Sequence, residues 1–183
     1  DNHYGIQDIN LSRSHYVGVL VERNAAHGVH FTGGAHSLVD AVVRHNALDQ
    51  VRVEVQPTPH LDVAPDHPLS AGSVYLYNTL ILGGRTGILA GPGTRVGVRA
   101  CHVAGAQTGV EAQAGAALHV TGCALVDAGT LEVRQDSALS RFDGNLYWPG
   151  RVAAAGVTYA PEQFAAYQAA VDEKVNAHRD RVR

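Results

Sequence analysis

"GVRACHVAG" (residues 97–105) and "HVTGCALVD" (residues 119–127) each set one cysteine among alternating apolar residues, and an interval of 22 separates Cys101 from Cys123. Stepping on by the same interval reaches Asn145 in "DGNLYW", and stepping back reaches Thr79 in "YNTLIL". A second series at this spacing runs through Asn2, Asn24 and Asn46. The step from Asn46 to Thr79 is one and a half periods, which reads as one period plus an insertion of 11. Apolar residues recur five and three before each mark and usually two after it: Val19, Val21 and Ala26; Ala41, Val43 and Leu48; Val74, Leu76 and Ile81; Val96, Val98 and Val103; Leu118, Val120 and Leu125. A fixed period of this length marks a solenoid, whose coils bury their apolar sides only by stacking on one another.

Within a coil the apolar residues alternate at period two between Gly, Asn and Ser, so each coil is built of short strands. A further strand follows each mark, in "GVHFTG", "QVRVEV", "TGILAG", "TGVEAQ" and "TLEVRQ". Its inward residues read as Val29 and Phe31, Val51 and Val53, Ile88 and Ala90, Val110 and Ala112, Leu131 and Val133. Coils of this kind pair strands in parallel at roughly 4.8 Å per coil, with Asn side chains hydrogen-bonded up the stack. The expected fold is all-β: a parallel β-helix of about six coils over residues 1–150, a linker at 151–160 and a C-terminal α-helix at 161–183. For that helix, Pro161 and Glu162 mark the start, and Phe164, Tyr167, Val171 and Val175 form one apolar stripe. Asn2 falls in mid-coil and "AHRDRVR" reads as a return to the stack, so further coils of a longer parent chain are expected on both sides.

The repeated apolar-x-apolar-x-x-Asn-x-apolar pattern, the Gly-apolar-x-apolar strand after it, and "FDGNLYW" resemble the right-handed parallel β-helix superfamily typified by pectate lyases. The resemblance covers about residues 2–148 and implies a right-handed solenoid that acts on or binds a polysaccharide. Because this fold carries lyases, hydrolases, epimerases and silent scaffolds, activity has to be argued from a site.

Cys101 and Cys123 stand where other coils place Asn or Thr, pointing inward one above the other. The pattern leaves open two buried thiols packed as small hydrophobes or a disulfide, since coils stack within the usual Cα separation of about 4.4–6.8 Å. Two inward thiols lack the further ligands of a metal site. A net charge of −3, with one Lys against 13 Arg, points away from a nucleic-acid partner, and no apolar run is long enough for a membrane span. With 20 Gly and no Met, the composition suits a secreted, cell-surface or periplasmic solenoid.

Outward residues of the second strand form the candidate site. His30 and Arg52 are one period apart, Glu111 and Glu132 are one short of a period apart, and Glu54 and Arg134 flank the row. A uronate lyase needs a cation against the substrate carboxylate and a base for the adjacent proton; Arg52 and His30 are the candidates, with Glu54 beside them. A hydrolase needs two carboxylates about 5–10 Å apart, for which Glu111 and Glu132 are the only neighbours on this face. "QPTPHLDVAPDHPLSAG" (residues 56–72) holds the insertion, and its His60, Asp62, Asp66 and His67 suit a substrate-binding wall or a Ca2+ site neutralising a uronate.

The alternative is a non-catalytic glycan-binding or surface scaffold module, for which Tyr75, Tyr77 and Trp148 offer a modest sugar platform. A second alternative comes from "HYGIQD" (residues 3–8), which resembles a mannuronan epimerase segment at Tyr4, Gly5 and Ile6. It departs from that family at Gln7, where the family has its catalytic Asp, and Asp8 is displaced by one residue, which in a strand turns it to the other face.

Overall fold

The computed structural model describes residues 2–9, 13–55 and 72–171 and is a parallel β-solenoid of about six turns. Each turn visits three sheets in the same order. The first sheet stacks Ile6–Asp8, Val29–Thr32, Asp49–Glu54, Thr86–Ala90, Thr108–Ala112, Leu131–Gln135 and Val152–Ala154 in parallel, and ends on the antiparallel strand Val157–Tyr159. The second stacks Arg13–Val17, Ala35–Val39, Ser73–Tyr77, Arg95–Arg99, Ala117–Thr121 and Arg141–Asp143. The third stacks Leu20–Glu22, Val42–Arg44, Leu80–Leu82, His102–Ala104, Ala124–Val126 and Leu146–Trp148.

Alternation within each strand drives its inward residues into continuous columns. Val29, Val51, Ile88, Val110 and Val133 form one, Leu38, Leu76, Val98, Val120 and Phe142 another, and Val21, Val43, Ile81, Val103 and Leu125 a third. All are buried, and each such side chain contributes roughly 1.5–3 kcal/mol by leaving water. Corners between the second and third sheets turn on one left-handed residue per coil, at Gly18, Asp40, Asn78, Ala100, Gly122 and Gly144.

The phase of the repeat differs from the one expected. Val43 opposes Ile81, a step of 38 that also separates Asp40 from Asn78 at the corner, so the surplus over one period is 16 rather than 11. Val21 and Val43 therefore lie on the third sheet with Ile81, while Leu76 lies on the second sheet opposite Leu38. The two marker series become two ladders at two corners. In one, Asn24 donates from its backbone and its Nδ2 to Asn46 Oδ1 (3.0 and 2.7 Å). That ladder stops where Asn46 Nδ2 donates to Gln50 Oε1 (2.7 Å). Gly84 follows in the next coil, since a Cβ there would lie 2.1 Å from Gln50 Nε2. In the other, the Cys101 amide lies 3.4 Å from Cys123 Sγ, and the Cys123 amide donates to Asn145 Oδ1 (2.9 Å). Both cysteines are buried free thiols.

Residues 151–160, expected as a linker, instead supply two strands, because Val152 and Ala154 continue the inward columns and Val157–Tyr159 folds back on them. The chain then enters a 3-10 turn at Pro161–Gln163 and the short helix Phe164–Val171. Tyr167 is wholly buried, and its ring lies 5.4 Å from Phe164 and 5.9 Å from Tyr159. Val175 and the rest of the expected helix lie outside the described residues.

Candidate functional site

The outward row of the first sheet runs Gln7, His30, Arg52, Leu89, Glu111 and Arg134. His30 and Arg52 are neighbours, as expected from their spacing. Around them the strand ends converge on one connected network. Arg52 donates from Nη1 to Asp49 Oδ2 (3.0 Å) and from Nη2 to Glu54 Oε1 (2.5 Å). Glu54 Oε2 accepts from His30 Nε2 (2.8 Å). Asp49, itself fully buried, also takes the Arg85 guanidinium at 3.0 and 3.1 Å. Its amide donates to His27 Nδ1 (3.3 Å), and the Tyr4 ring lies 5.7 Å from His27 and 5.6 Å from His30.

This wiring decides what the groups can do. The Arg52 hydrogen bond, ahead of an opposing effect of burial, holds the Glu54 carboxyl below the usual carboxylate range. Arg52 is pushed up in turn, chiefly by Glu54. Burial pushes the His27 pKa down, only partly offset by the Asp49 carboxylate 3.2 Å from its Nδ1. Arg52 is thus committed to two carboxylates, and a uronate would have to displace one of them. His30 uses Nε2 on Glu54, and its Nδ1 is buried without a hydrogen-bond partner among the described residues, so neither nitrogen faces an incoming substrate. The network is a strut along the sheet that holds its own charges.

The expected Glu111 and Glu132 pair does not form. The last coil steps by one more than the period on this sheet, so Glu111 opposes Arg134 and lies 3.9 Å from it, while Val133 opposes Val110. Glu132 is shifted out of the row and fully buried; it packs on Gly109, where a Cβ would meet the Glu132 carbonyl at 2.6 Å. Its Oε2 accepts from the Arg151 amide (2.5 Å), its Oε1 has no partner among the described residues, and burial pushes its pKa up. Asp8 points inward in the column of Phe31, accepting from Ser14 (2.7 Å) and Tyr16 (3.1 Å), while Gln7 takes the outward place. His60, Asp62, Asp66 and His67 lie outside the described residues. Among the described residues no group of three or more His, Cys, Asp or Glu is placed to hold a metal ion.

A different face stands open. On the second sheet the outward rows carry Arg13, Arg95, His15, Tyr75, His119, Arg141, Tyr77 and Arg99. Arg13, Arg95, Arg99 and Arg141 are all exposed, and their guanidinium groups make no ion pair or side-chain hydrogen bond among the described residues. Among the described residues Asp143 is the one acidic side chain in these rows. Tyr75 and Tyr77 are 43% and 40% exposed, their rings nearly parallel at 10° with centroids 6.3 Å apart. Tyr75 leans into the gap left by Gly97, where a Cβ would come within 3.1 Å of its ring. Trp148, also exposed, belongs to the third sheet and does not extend this platform. The alternation in "RSHYV", "RVGVR" and "RFD" turns the arginines outward, and that in "SVYLY" does the same for the tyrosines.

Comparisons with family models, with curated proteins and with solved structures gave no match to this chain.

Proposed function

We propose that this solenoid is a non-catalytic module that binds an extended polysaccharide along the outward face of its second sheet. The observation that carries the reading is the Tyr75 and Tyr77 pair. Two large, nearly parallel rings stand exposed on one strand of the parallel sheet, with Tyr75 seated over a glycine in the next coil. Tyrosine offers an apolar ring face and a polar tip, which together suit a sugar ring and its hydroxyls. The resemblance to the pectate-lyase-like superfamily supports a glycan ligand and a secreted or cell-surface setting. The test is affinity electrophoresis of the wild type and of Tyr75→Ala/Tyr77→Ala through gels containing each of a panel of soluble polysaccharides. Retardation by at least one polymer, lost in the double variant, is expected; retardation that survives the double variant moves the site elsewhere.

A lyase-type reading rests on His30, which Glu54 orients as a carboxylate would orient a base. Its burial and the commitment of Arg52 weigh against it. Accumulation of unsaturated products by the wild type, abolished in His30→Ala and in Arg52→Ala, would establish it.

A further inference from the structure

We propose that the glycan bound on the second sheet is polyanionic, carrying carboxylate, sulfate or phosphate groups that Arg13, Arg95, Arg99 and Arg141 receive; this rests on the glycan-binding reading above. Two faces of the same stack treat their basic side chains differently. On the first sheet Arg52 and Arg85 share the buried Asp49, and Arg134 faces Glu111, so basic side chains there have acidic partners built in. On the second sheet Arg13, Arg95, Arg99 and Arg141 have none among the described residues, although the chain as a whole carries more acidic than basic residues, 17 against 14. Four guanidinium groups without an ion pair among the described residues, against the single acidic side chain Asp143 in the same rows, raise a local positive potential that favours an anionic partner. Arginine presents a rigid fork suited to carboxylate, sulfate and phosphate alike.

Their placement selects an extended chain with well-separated charges. Arg95 and Arg99 lie at the two ends of one strand, about 13 Å apart at about 3.3 Å per residue. Arg141 lies two coils beyond the row of Gly97, about 10 Å at about 4.8 Å per coil. Tyr77 lies one coil before Arg99 in the same row, and Tyr75 one coil before Gly97, so the rings stand beside these charges. A duplex nucleic acid offers one charge per about 1.7 Å and needs a dense basic strip to match it. The arginines here are spaced too widely for that. Sugar rings on the tyrosines with anionic groups reaching outward to the arginines fit the spacing.

The full chain is run by affinity electrophoresis and titrated by calorimetry with polygalacturonate, dextran sulfate, a teichoic-type poly(glycerol phosphate), neutral dextran and single-stranded DNA, in 50 and 200 mM NaCl. Wild type is expected to bind at least one anionic polymer and to lose about tenfold or more in affinity across that salt range, because releasing counterions at several arginines makes binding salt-dependent. The preferred polymer identifies which anion the guanidinium groups receive. Arg95→Ala/Arg99→Ala and Arg13→Ala/Arg141→Ala are each expected to weaken binding tenfold or more and to flatten the salt dependence. Arg44→Ala on the third sheet removes a basic charge away from this face and is expected to leave binding unchanged; thermal melts check that all variants fold. Salt-insensitive binding of neutral dextran, sensitive to Tyr75→Ala but not to the arginine variants, overturns the polyanion inference and leaves the glycan reading standing. Binding to none of the glycans overturns both, and tighter binding of DNA than of any glycan replaces the ligand class.

Discussion

Ala100 has a φ of +53° at a corner where Gly18, Gly122 and Gly144 take the same turn in other coils. An L side chain in the left-handed region costs roughly 1–2 kcal/mol, against which a glycine loses some freedom on folding. Ala100→Gly is therefore expected to stabilise the protein by about 1 kcal/mol, read as a Tm rise of about 2–4 °C. A fall in Tm would show that the corner is not strained. Glu132 makes a prediction of the opposite chemical kind. Its folded-state pKa lies above the unfolded value of about 4.3, because burial disfavours the anion. The folded state therefore holds the proton more tightly. The corresponding stability is fully present below the unfolded value and is lost as pH rises through the folded one. Gln50, buried on an earlier coil of the same sheet, shows that a neutral amide is accommodated in this stack. Glu132→Gln should melt higher than wild type at pH 7, with the difference closing towards pH 4. A variant that melts lower at both pH values would mean that the carboxylate itself is needed against Arg151.

At the scale of the strand, period-two alternation is enough to place inward residues, and the columns of Val, Leu and Ile follow it closely. The phase between coils is harder to read, and the reason is physical. One coil contains three strands of the same alternation, so an apolar-x-apolar run fits the second or the third sheet equally well. One of the two inward places of the second sheet in the early coils holds Ser14 and His36 rather than Val or Leu, while Tyr16 and Leu38 hold the other. With the apolar-x-apolar pair broken there, the Asn24 and Asn46 ladder aligns in sequence with the cysteine ladder one corner away. The same slip of register on the first sheet pairs Glu111 with Glu132 instead of Arg134. His30 and Arg52 are legible because their coils keep the strict period. The ion pairs that commit Arg52 are not, since they run along its own strand, to Asp49 three residues before it and Glu54 two after it, and alternation alone does not show that side chains at these offsets meet. The assignment of inward and outward faces is tested at Val98, buried in the column of Leu76 and Val120, against Arg99 beside it, which faces out. Val98→Asp should cost about 3–5 kcal/mol, as an unpaired buried charge does, and Arg99→Asp about 0.5 kcal/mol or less. Similar melting of the two variants would reverse the assigned faces.

Over the whole molecule, stability is set by stacking, since each coil touches only its neighbours and the last one needs a cover. Val152–Ala154 is the final parallel strand of the first sheet, and its outer edge is taken up by the antiparallel strand Val157–Tyr159. Tyr167 on the following helix buries itself completely, within a cluster of Phe164, Tyr159 and Tyr147. Reversing one strand ends the parallel progression, and the aromatic cluster keeps water off the end of the apolar columns. Such a cap blunts edge-to-edge pairing, because the edge it leaves bare belongs to one short, largely exposed three-residue strand rather than to the parallel stack. Ending the chain after Ala155 removes both parts of it. The shortened protein should associate with itself in a concentration-dependent way, measured by light scattering on a sizing column, and should melt lower than the full chain. The double variant Phe164→Ala/Tyr167→Ala keeps the antiparallel strand and removes only the aromatic cover. It should melt lower without gaining the concentration-dependent association, since the antiparallel strand still covers Val152–Ala154. If it associates as readily as the shortened chain, the apolar cover rather than the reversed strand is what keeps this end of the solenoid closed.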